Sequence, residues 1–202
     1  MRRPPAGVIL AAGESSRMGS PKALLPYRGT TFLEHLAGLL SRFSPERLDP
    51  VLLVLGHDAD RIHQSVDLAA GVRVLVNPQY RLGQLSSLQA AVRSLAGSAA
   101  TGLLVAPVDH PCIGPEVVEA LLAVFAEENP EVAVPTFGGR RGHPVVFSAR
   151  LFPELLEAPL EQGARAVVRR QAVREVPVSE AGILADIDDP EVYERVIGAR
   201  PP

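Results

Sequence analysis

The sequence has little of what a cross-linked or membrane-embedded protein needs. Its 202 residues contain one cysteine, Cys112, which excludes both an intramolecular disulfide and a multi-cysteine zinc site. No stretch reaches the roughly 20 apolar residues of a membrane-spanning helix. The apolar run near the start breaks at Gly13 and Glu14, before it forms the core of a signal peptide. We therefore expect a cytoplasmic protein with no membrane partner.

Neither one charge sign nor low-complexity sequence dominates the chain. Lys plus Arg number 20 and Asp plus Glu 23, a formal charge of −3 at pH 7, which argues against a protein built to coat nucleic acid. The 19 prolines are dispersed, and the sequence contains no internal repeat or linker. With 47% apolar residues, the length suits one domain over residues 1–202, and the expected partner is a small molecule.

Short apolar runs alternate with amphipathic segments, which is typical of a three-layer α/β fold: a mostly parallel sheet with helices on both faces. The predicted strands are 7–11, 50–55, 72–76, 102–106, 132–135 and 144–147. The predicted helices are 32–43, 61–69, 86–95, 115–126, 149–156, 164–171 and 190–197. Ligands of such sheets bind beyond the carboxyl ends of the strands, so the candidate loops follow residues 11, 55, 76 and 106.

The loop after the first predicted strand carries the strongest functional signal. Residues 10–22 read LAAGESSRMGSPK, in which Gly13 and Gly19 let backbone amides approach an anion, and Arg17 and Lys22 add positive charge. Lys22 is the only lysine beside 19 arginines, and its compact, rotatable ammonium suits a phosphate site. The spacing matches neither a Walker A loop nor a dinucleotide-binding G-x-G-x-x-G. The alternative is a glycine-rich surface turn with solvated charges.

Carboxylates follow the fourth predicted strand and recur near the C-terminus. Asp109 stands where it would ligate Mg²⁺ or, alternatively, cap a turn. Asp186, Asp188 and Asp189 come immediately before a predicted helix. They would either close a metal site with Asp109 or simply favour the helix N-terminus. The residues alone leave both interpretations open.

The loop and the later motifs together resemble the molybdenum cofactor nucleotidyltransferases, most closely the cytidylyltransferase branch. The matching pieces span nearly the whole chain in the family's order: LAAG at 10–13, SRMG at 16–19, Lys22, GH at 56–57, Asn77, Gly83, SSL at 86–88, DHP at 109–111, GRRGHP at 139–144, GAR at 163–165 and DIDDP at 186–190. The resemblance implies a Rossmann-like nucleotidyltransferase fold with Mg²⁺ as cofactor. It also implies transfer of a nucleoside monophosphate onto the phosphate of molybdopterin or its molybdenum form, with release of pyrophosphate.

The resemblance assigns roles to individual residues. Arg17 and Lys22 would be catalytic and stabilise charge on the phosphates. Asp109 and Asp188 would hold Mg²⁺. Six residues would contact the nucleotide: Leu10, Ala11, Ala12, Gly13, Gly83 and Ser87. Because the guanylyltransferase branch has glycine at the position of Ala12, the nucleotide is expected to be CTP rather than GTP.

Three basic residues are candidates for binding the acceptor: Arg141, His143 and Arg165. The first two stand in a run that also predicts a solvated hairpin turn, and Arg165 belongs to a segment that also predicts a solvated helix face.

Departures from the family pattern fall in the half that would meet the acceptor. Leu160 and Glu161 stand where cytidylyltransferases have Gly-Asp, and Asp189 replaces the usual threonine. These differences leave open a guanylyl or sugar-phosphate nucleotidyltransferase of the same fold. They also leave open a non-catalytic protein that binds the cofactor and helps to insert it into a molybdoenzyme. A molybdoenzyme or its maturation factor is therefore a further expected partner.

Overall fold

The computed structural model describes residues 3–201; Met1, Arg2 and Pro202, which the predicted domain includes, lie outside the described residues. The strands are β1 (Ala6–Ala11), β2 (Pro26–Tyr27), β3 (Thr30–Thr31), β4 (Val51–Leu55), β5 (Val72–Val76), β6 (Gly102–Pro107), β7 (Val132–Phe137), β8 (Arg140–Arg141), β9 (Val145–Ser148) and β10 (Val173–Pro177). The α-helices are α1 (Phe32–Ser41), α2 (Ala59–Gln64), α3 (Gln84–Ser94), α4 (Pro115–Glu128), α5 (Phe152–Glu157), α6 (Arg165–Val168) and α7 (Pro190–Ile197).

Eight strands form one mostly parallel sheet in the order β10-β7-β9-β6-β1-β4-β5, with β8 paired to β7. Only β8 and β9 pair antiparallel with their neighbours in this sheet, and β2 and β3 form a separate hairpin. From β1 the chain passes to β4 and β5 on one side and then returns to β6 on the other side of β1. At such a switch point the loops that leave the strands diverge and open a crevice.

Helices cover both faces of the sheet, which confirms the predicted three-layer architecture. Along β1, Ile9 and Ala11 pack into the hydrophobic core with α1, α2, α4 and α7, whereas Val8 and Leu10 pack into the core with α3, α5 and α6. This alternation follows from the two-residue period of a strand. Both cores are therefore anchored on the strand that precedes the candidate phosphate loop.

Several elements differ from their predicted bounds. The predicted helix 61–69 is α2, which spans Ala59–Gln64 and closes with a tighter turn, in which the Ser65 amide donates to the Ile62 carbonyl at 3.1 Å. The predicted helix 164–171 shortens to α6, and 149–156 divides into a 3₁₀ turn and α5. Strand β10 and the short strands β2, β3 and β8 were not predicted. No helix in the described part of the chain is long and apolar enough to cross a membrane.

Candidate active site

The loop between β1 and α1 folds back on itself at Ser15. The Ser15 carbonyl accepts from the amides of Met18 and Gly19 at 2.9 and 3.2 Å, and Ser15 Oγ accepts from the Lys22 amide at 3.0 Å. Ser15 itself has φ +53°, in the left-handed region that non-glycine residues seldom adopt. These contacts place both Arg17 and Lys22 at the carboxyl end of β1.

A cavity of about 240 Å³, here called the loop cavity, lies beyond the carboxyl ends of β1 and β6. Its lining includes every residue that the sequence assigned to nucleotide, phosphates or metal: Leu10, Ala11, Ala12, Gly13, Arg17, Lys22, Gly83, Ser87, Asp109 and Asp188. These residues come from four separate segments of the sequence, and the strand order brings them together. Their individual roles stay predictions.

The N-terminus of α3 forms one wall of the loop cavity. Gly83, with φ +98°, turns the chain into α3 in a conformation that glycine adopts without steric cost. The buried Asn77 side chain donates to the hydroxyls of Ser86 and Ser87 at 2.9 and 3.0 Å, which fixes the orientation of Ser87. Because the first amides of a helix lack intrahelical acceptors, this wall offers N–H groups and partial positive charge to an anion.

Two cations converge on Asp188. Lys22 Nζ forms an ion pair with Asp188 Oδ1, and Arg17 donates to Asp188 Oδ2 at 2.7 Å. Burial alone would raise the pKa of Asp188, but the hydrogen bonds and charges of Lys22 and Arg17 outweigh it and hold that pKa below its usual value. Asp188 is therefore ionised, and it holds both basic side chains at the rim of the loop cavity.

Asp109 stands at the other side of Lys22, with its Oδ2 at 3.6 Å from Nζ. The Asp109 carbonyl accepts from the Ile187 amide at 2.9 Å, which ties the loop after β6 to the segment that carries Asp186 and Asp188. Asp109 Oδ1 is buried and has no hydrogen-bond partner among residues 3–201. Burial raises the pKa of Asp109, the Asp188 charge adds to that rise, and Lys22 opposes it. A buried carboxylate oxygen without a donor, beside further carboxylates, suits a divalent cation such as Mg²⁺.

The three aspartates before α7 have different surroundings. Asp189 Oδ1 accepts from the Val192 amide at 2.8 Å and caps α7, as the alternative hypothesis supposed. Asp188 binds Lys22 and Arg17. Asp186 lies with Asp109 and His110, so that one ligand atom of each falls within 4.8 Å of the others. Asp188 as a second metal ligand beside Asp109 stays a prediction.

Two histidine rings connect this region to a second cavity. The rings of His110 and His143 pack with their centroids 4.4 Å apart. Burial lowers the pKa of His110 to about 4, with a smaller contribution from Lys22. Burial likewise lowers the pKa of His143 to about 4, with a contribution from His110. Both imidazoles are therefore neutral at pH 7 and keep a lone pair.

The second cavity, of about 510 Å³, shares Leu10 and Gln84 with the loop cavity and is here called the adjoining cavity. The three predicted acceptor residues line it: Arg141, His143 and Arg165. The residues that depart from the family pattern, Leu160 and Glu161, line it as well. The two cavities are thus contiguous, as a two-substrate reaction requires.

Arg141 also fits the hairpin alternative. It belongs to β8, which follows a two-residue turn at Gly138 and Gly139 with φ +56° and +76°. Its Nε donates to Glu175 Oε1 at 2.8 Å on the exposed side of the sheet. An acceptor that binds Arg141 would have to compete with Glu175.

Sequence reasoning assigned no role to Ser15 or Gln84, and it named Asp186 only together with Asp188 and Asp189, as carboxylates that would close a metal site with Asp109. Gln84 opens α3 and lines both cavities, although the predicted helix begins two residues later. Its position directly after Gly83 is the signal that could have found it. Ser15 would have required knowledge of the loop conformation, because a serine in a polar loop has no distinctive pattern.

The candidate phosphate loop, a carboxylate with a buried, unpartnered oxygen and a contiguous second cavity lie together at the switch point of the sheet, an arrangement typical of nucleotide-binding sites. The family model described as the MobA-like NTP transferase domain matches residues 7–176. The chain belongs to this family of nucleotidyltransferases, which confirms the resemblance inferred from the motifs.

Named relatives cover nearly the whole chain. The molybdenum cofactor cytidylyltransferase of Escherichia coli is 25% identical over 92% of each chain. The nicotine blue oxidoreductase of Paenarthrobacter nicotinovorans is 32% identical over 95% of each chain. The probable molybdenum cofactor guanylyltransferase of Mycobacterium avium is 29% identical over 91% of this chain and 90% of that protein. Membership therefore leaves the base and the acceptor undecided.

Solved structures agree with the fold. Rv0371c from Mycobacterium tuberculosis superposes with a TM-score of 0.85 at 30% identity, over 98% of this chain and 100% of that chain. A structure of Rv0371C in complex with manganese superposes with a TM-score of 0.78 at 29% identity, over 96% and 98% of the two chains. The second of these related structures thus contains manganese.

Proposed function

We propose that this protein is a Mg²⁺-dependent nucleotidyltransferase that moves CMP from CTP onto the phosphate of a molybdopterin-type acceptor and releases pyrophosphate. The observation that carries the proposal is the convergence of Arg17, Lys22 and Asp109 on the loop cavity, which is contiguous with the adjoining cavity. Contiguous cavities can hold a triphosphate and an acceptor with their reacting groups side by side.

The charges of the loop cavity suit this reaction. The acceptor phosphate and the triphosphate are both anionic, so their repulsion must be neutralised before the acceptor oxygen reaches the α-phosphorus. Lys22 and Arg17 would move from Asp188 to the phosphates and supply that neutralisation. No protein side chain needs to remove a proton, because the attacking phosphate oxygen is already ionised.

Asp109 and Asp188 would hold the cation, with the unpartnered Oδ1 of Asp109 and the carboxylate-rich surroundings as support. A bound divalent cation supplies charge neutralisation on the phosphate oxygens. In the adjoining cavity, Arg141, His143 and Arg165 would hold the acceptor. Glu161 lines the same cavity and would repel any negatively charged group of the acceptor that lies beside it.

The choice of base rests on Ala12, whose methyl group narrows the loop beside the nucleotide relative to glycine. Guanylyl transfer is the second candidate, because the guanylyltransferase of Mycobacterium avium is as similar to this chain as the cytidylyltransferase relative. A molybdoenzyme or its maturation factor would receive the product.

Calorimetric titration of the full chain with CTP, GTP, ATP and UTP in Mg²⁺ tests the nucleotide. We expect CTP to bind most tightly and Asp109→Asn to weaken that binding at least about tenfold, because the carboxylate charge that holds the cation is lost. Asp60→Asn, an exposed aspartate on α2, is the matched control and should bind CTP normally. If GTP binds most tightly instead, the proposed reaction is guanylyl transfer and not cytidylyl transfer.

Release of pyrophosphate separates an enzyme from a cofactor-binding protein. With CTP, Mg²⁺ and molybdopterin, we expect multiple turnovers per protein molecule. Binding of CTP and molybdopterin without any pyrophosphate would reject catalysis and favour the non-catalytic insertion protein. Turnover with a sugar phosphate but not with molybdopterin would show that the proposed acceptor is wrong, while nucleotidyl transfer itself would stand.

A further inference from the structure

We propose that Gln84 is a catalytic residue, whose side-chain amide donates one hydrogen bond to the α-phosphate of the nucleotide and one to the attacking phosphate of the acceptor. It thereby stabilises the two anions against each other while the nucleotide is transferred. This inference rests on the proposed function, because it requires a nucleotide and an acceptor bound side by side. The sequence motifs assign no role to Gln84.

The loop cavity and the adjoining cavity meet at two residues. Among residues 3–201, only Leu10 and Gln84 line both cavities. Because an acceptor oxygen from the adjoining cavity must reach the α-phosphorus in the loop cavity, the reacting atoms meet at this boundary. Leu10 has an apolar side chain, so of these two residues only Gln84 brings a hydrogen-bonding side chain to the reacting atoms.

The cations of the site lie on either side of the boundary. Arg17 and Lys22 line the loop cavity alone, and Arg141 and Arg165 line the adjoining cavity alone. Repulsion between the two phosphates is greatest where they approach each other, and no charged side chain of the described chain lines both cavities there. A donor at the boundary therefore acts on the encounter of the two phosphates and not on one substrate alone.

The Gln84 amide has the donors that this role needs. A glutamine Nε2 carries two N–H groups, one for each anion. Gln84 is exposed, and its amide makes no hydrogen bond to another described residue. Gln89, on the same helix, is buried instead, and its Nε2 donates to the carbonyls of Leu155, Leu156 and Ala158 at 3.0, 3.2 and 3.3 Å. Gln89 therefore holds the fold together, whereas the donors of Gln84 are available to a ligand.

The main chain that carries Gln84 is held in place. The Gly83 carbonyl accepts from Ser86 Oγ at 2.8 Å and from the Ser86 amide at 3.0 Å, which fixes the first turn of α3. Leu85 and Leu88 anchor the same turn in the hydrophobic core. Only the side chain of Gln84 has to adjust to the substrates, so little reorganisation accompanies the reaction.

The transfer step involves no proton. An acceptor phosphate oxygen forms a bond to the α-phosphorus, the bond from that phosphorus to the bridging oxygen of pyrophosphate breaks, and its electron pair leaves with pyrophosphate. The attacking oxygen and the non-bridging oxygens of the α-phosphate come closest in the transition state. Donors that contact both groups therefore stabilise the transition state more than either bound substrate, and their loss should lower kcat.

Steady-state release of pyrophosphate from CTP, Mg²⁺ and molybdopterin, measured beside calorimetric titration with CTP, tests this role. Gln84→Met keeps the length and the helix propensity of the side chain and removes both donors. We expect kcat to fall at least about tenfold. The Kd for CTP should stay unchanged, because Lys22 and the loop backbone still contact the triphosphate.

Two further variants separate the role of the amide from that of the side-chain volume. Gln84→Ala should lower kcat as Gln84→Met does, so that the result does not depend on one replacement. Gln84→Glu has nearly the shape of glutamine but adds a negative charge that repels both phosphates. It should lower kcat further and also weaken CTP binding.

Gln64→Met is the matched control, because Gln64 is an exposed glutamine on α2 that lines neither cavity. This variant should keep the wild-type kcat and the wild-type Kd for CTP. Thermal unfolding of every variant checks that it is folded.

The role of Gln84 is wrong if folded Gln84→Met has the wild-type kcat, or if saturating CTP and molybdopterin restore its rate. The second result would make Gln84 a substrate-binding contact without effect on the transition state. In both cases the wild type still releases pyrophosphate, so the proposed function stands. A wild type that releases no pyrophosphate would overturn the proposed function and the role of Gln84 together.

Discussion

Lys22 contacts two carboxylates, Asp188 through an ion pair and Asp109 at 3.6 Å, and its side chain is 11% exposed. Removing this ammonium leaves both negative charges facing the incoming phosphates. Lys22→Ala should therefore lower kcat/KM for pyrophosphate release at least about 100-fold. Lys22→Arg keeps the charge but replaces a compact ammonium with a planar fork, so it should recover only part of the loss.

Steady-state assays at several CTP concentrations measure this effect, and circular dichroism confirms folding. Arg47→Ala is the control, because Arg47 pairs with Glu119 at 2.6 Å, away from both cavities. If Lys22→Ala turns over at the wild-type rate, the role of Lys22 in charge stabilisation is wrong.

Single residues differed in how far the sequence could assign them. Lys22 stood out as a lone lysine in an arginine-rich chain, and the structure places it in the loop cavity. The carboxylates of 186–189 could not be told apart, because they occupy one short run. Asp189 turns to the backbone of α7 and Asp188 to Arg17 and Lys22, which are contacts that only the folded chain defines.

At the level of elements, the cap of α7 explains one departure from the family pattern. Asp189 Oδ1 accepts from the Val192 amide at 2.8 Å, so Asp189→Ala should destabilise the fold by about 1 kcal/mol. Asp189→Ser should destabilise the fold by only a few tenths of about 1 kcal/mol, because a serine side chain can also cap a helix. Urea unfolding measures both variants. If instead Asp189→Ala unfolds like the wild type and loses acceptor turnover, Asp189 acts on the acceptor.

The buried elements were predictable and the marginal ones were not. Strands β1, β4 and β6 are continuous apolar runs, because helices cover both of their faces, and they were predicted to within a residue or two. Strand β10 lies at the edge of the sheet, and the exposed Arg174 and Glu175 in its middle conceal its pattern. The end of α2 at Gln64 leaves no mark in the hydrophobic periodicity, so the predicted helix ran on to residue 69.

Across the whole molecule, the strand order joins the two cavities. The return of the chain from β5 to β6 sets Asp109 beside the loop of β1, and the later β7–β8 hairpin brings Arg141 and His143 to the adjoining cavity. Motif order along the sequence predicted that these pieces belong to one site. It could not predict that Leu10 and Gln84 form a shared wall, because that depends on how the two faces of the sheet pack.

Global stability should respond to the two buried histidines. Burial lowers the pKa of His110 and of His143 to about 4, whereas both titrate near pH 6.5 in the unfolded chain. Below about pH 6.5 the unfolded state therefore binds protons that the folded state does not. The folded protein therefore loses stability as the pH falls from about 6.5 to about 4, and His110 alone accounts for about 3 kcal/mol of that loss.

Urea unfolding in the presence of a chelator, repeated between about pH 7.5 and 4, measures this loss. The His110→Gln variant carries no titrating ring at this position, so its stability should fall less steeply with acidification than that of the wild type. His63→Gln, at an exposed position, should follow the wild-type curve. Equal slopes for wild type and His110→Gln would mean that the pKa of His110 is not lowered in the folded protein.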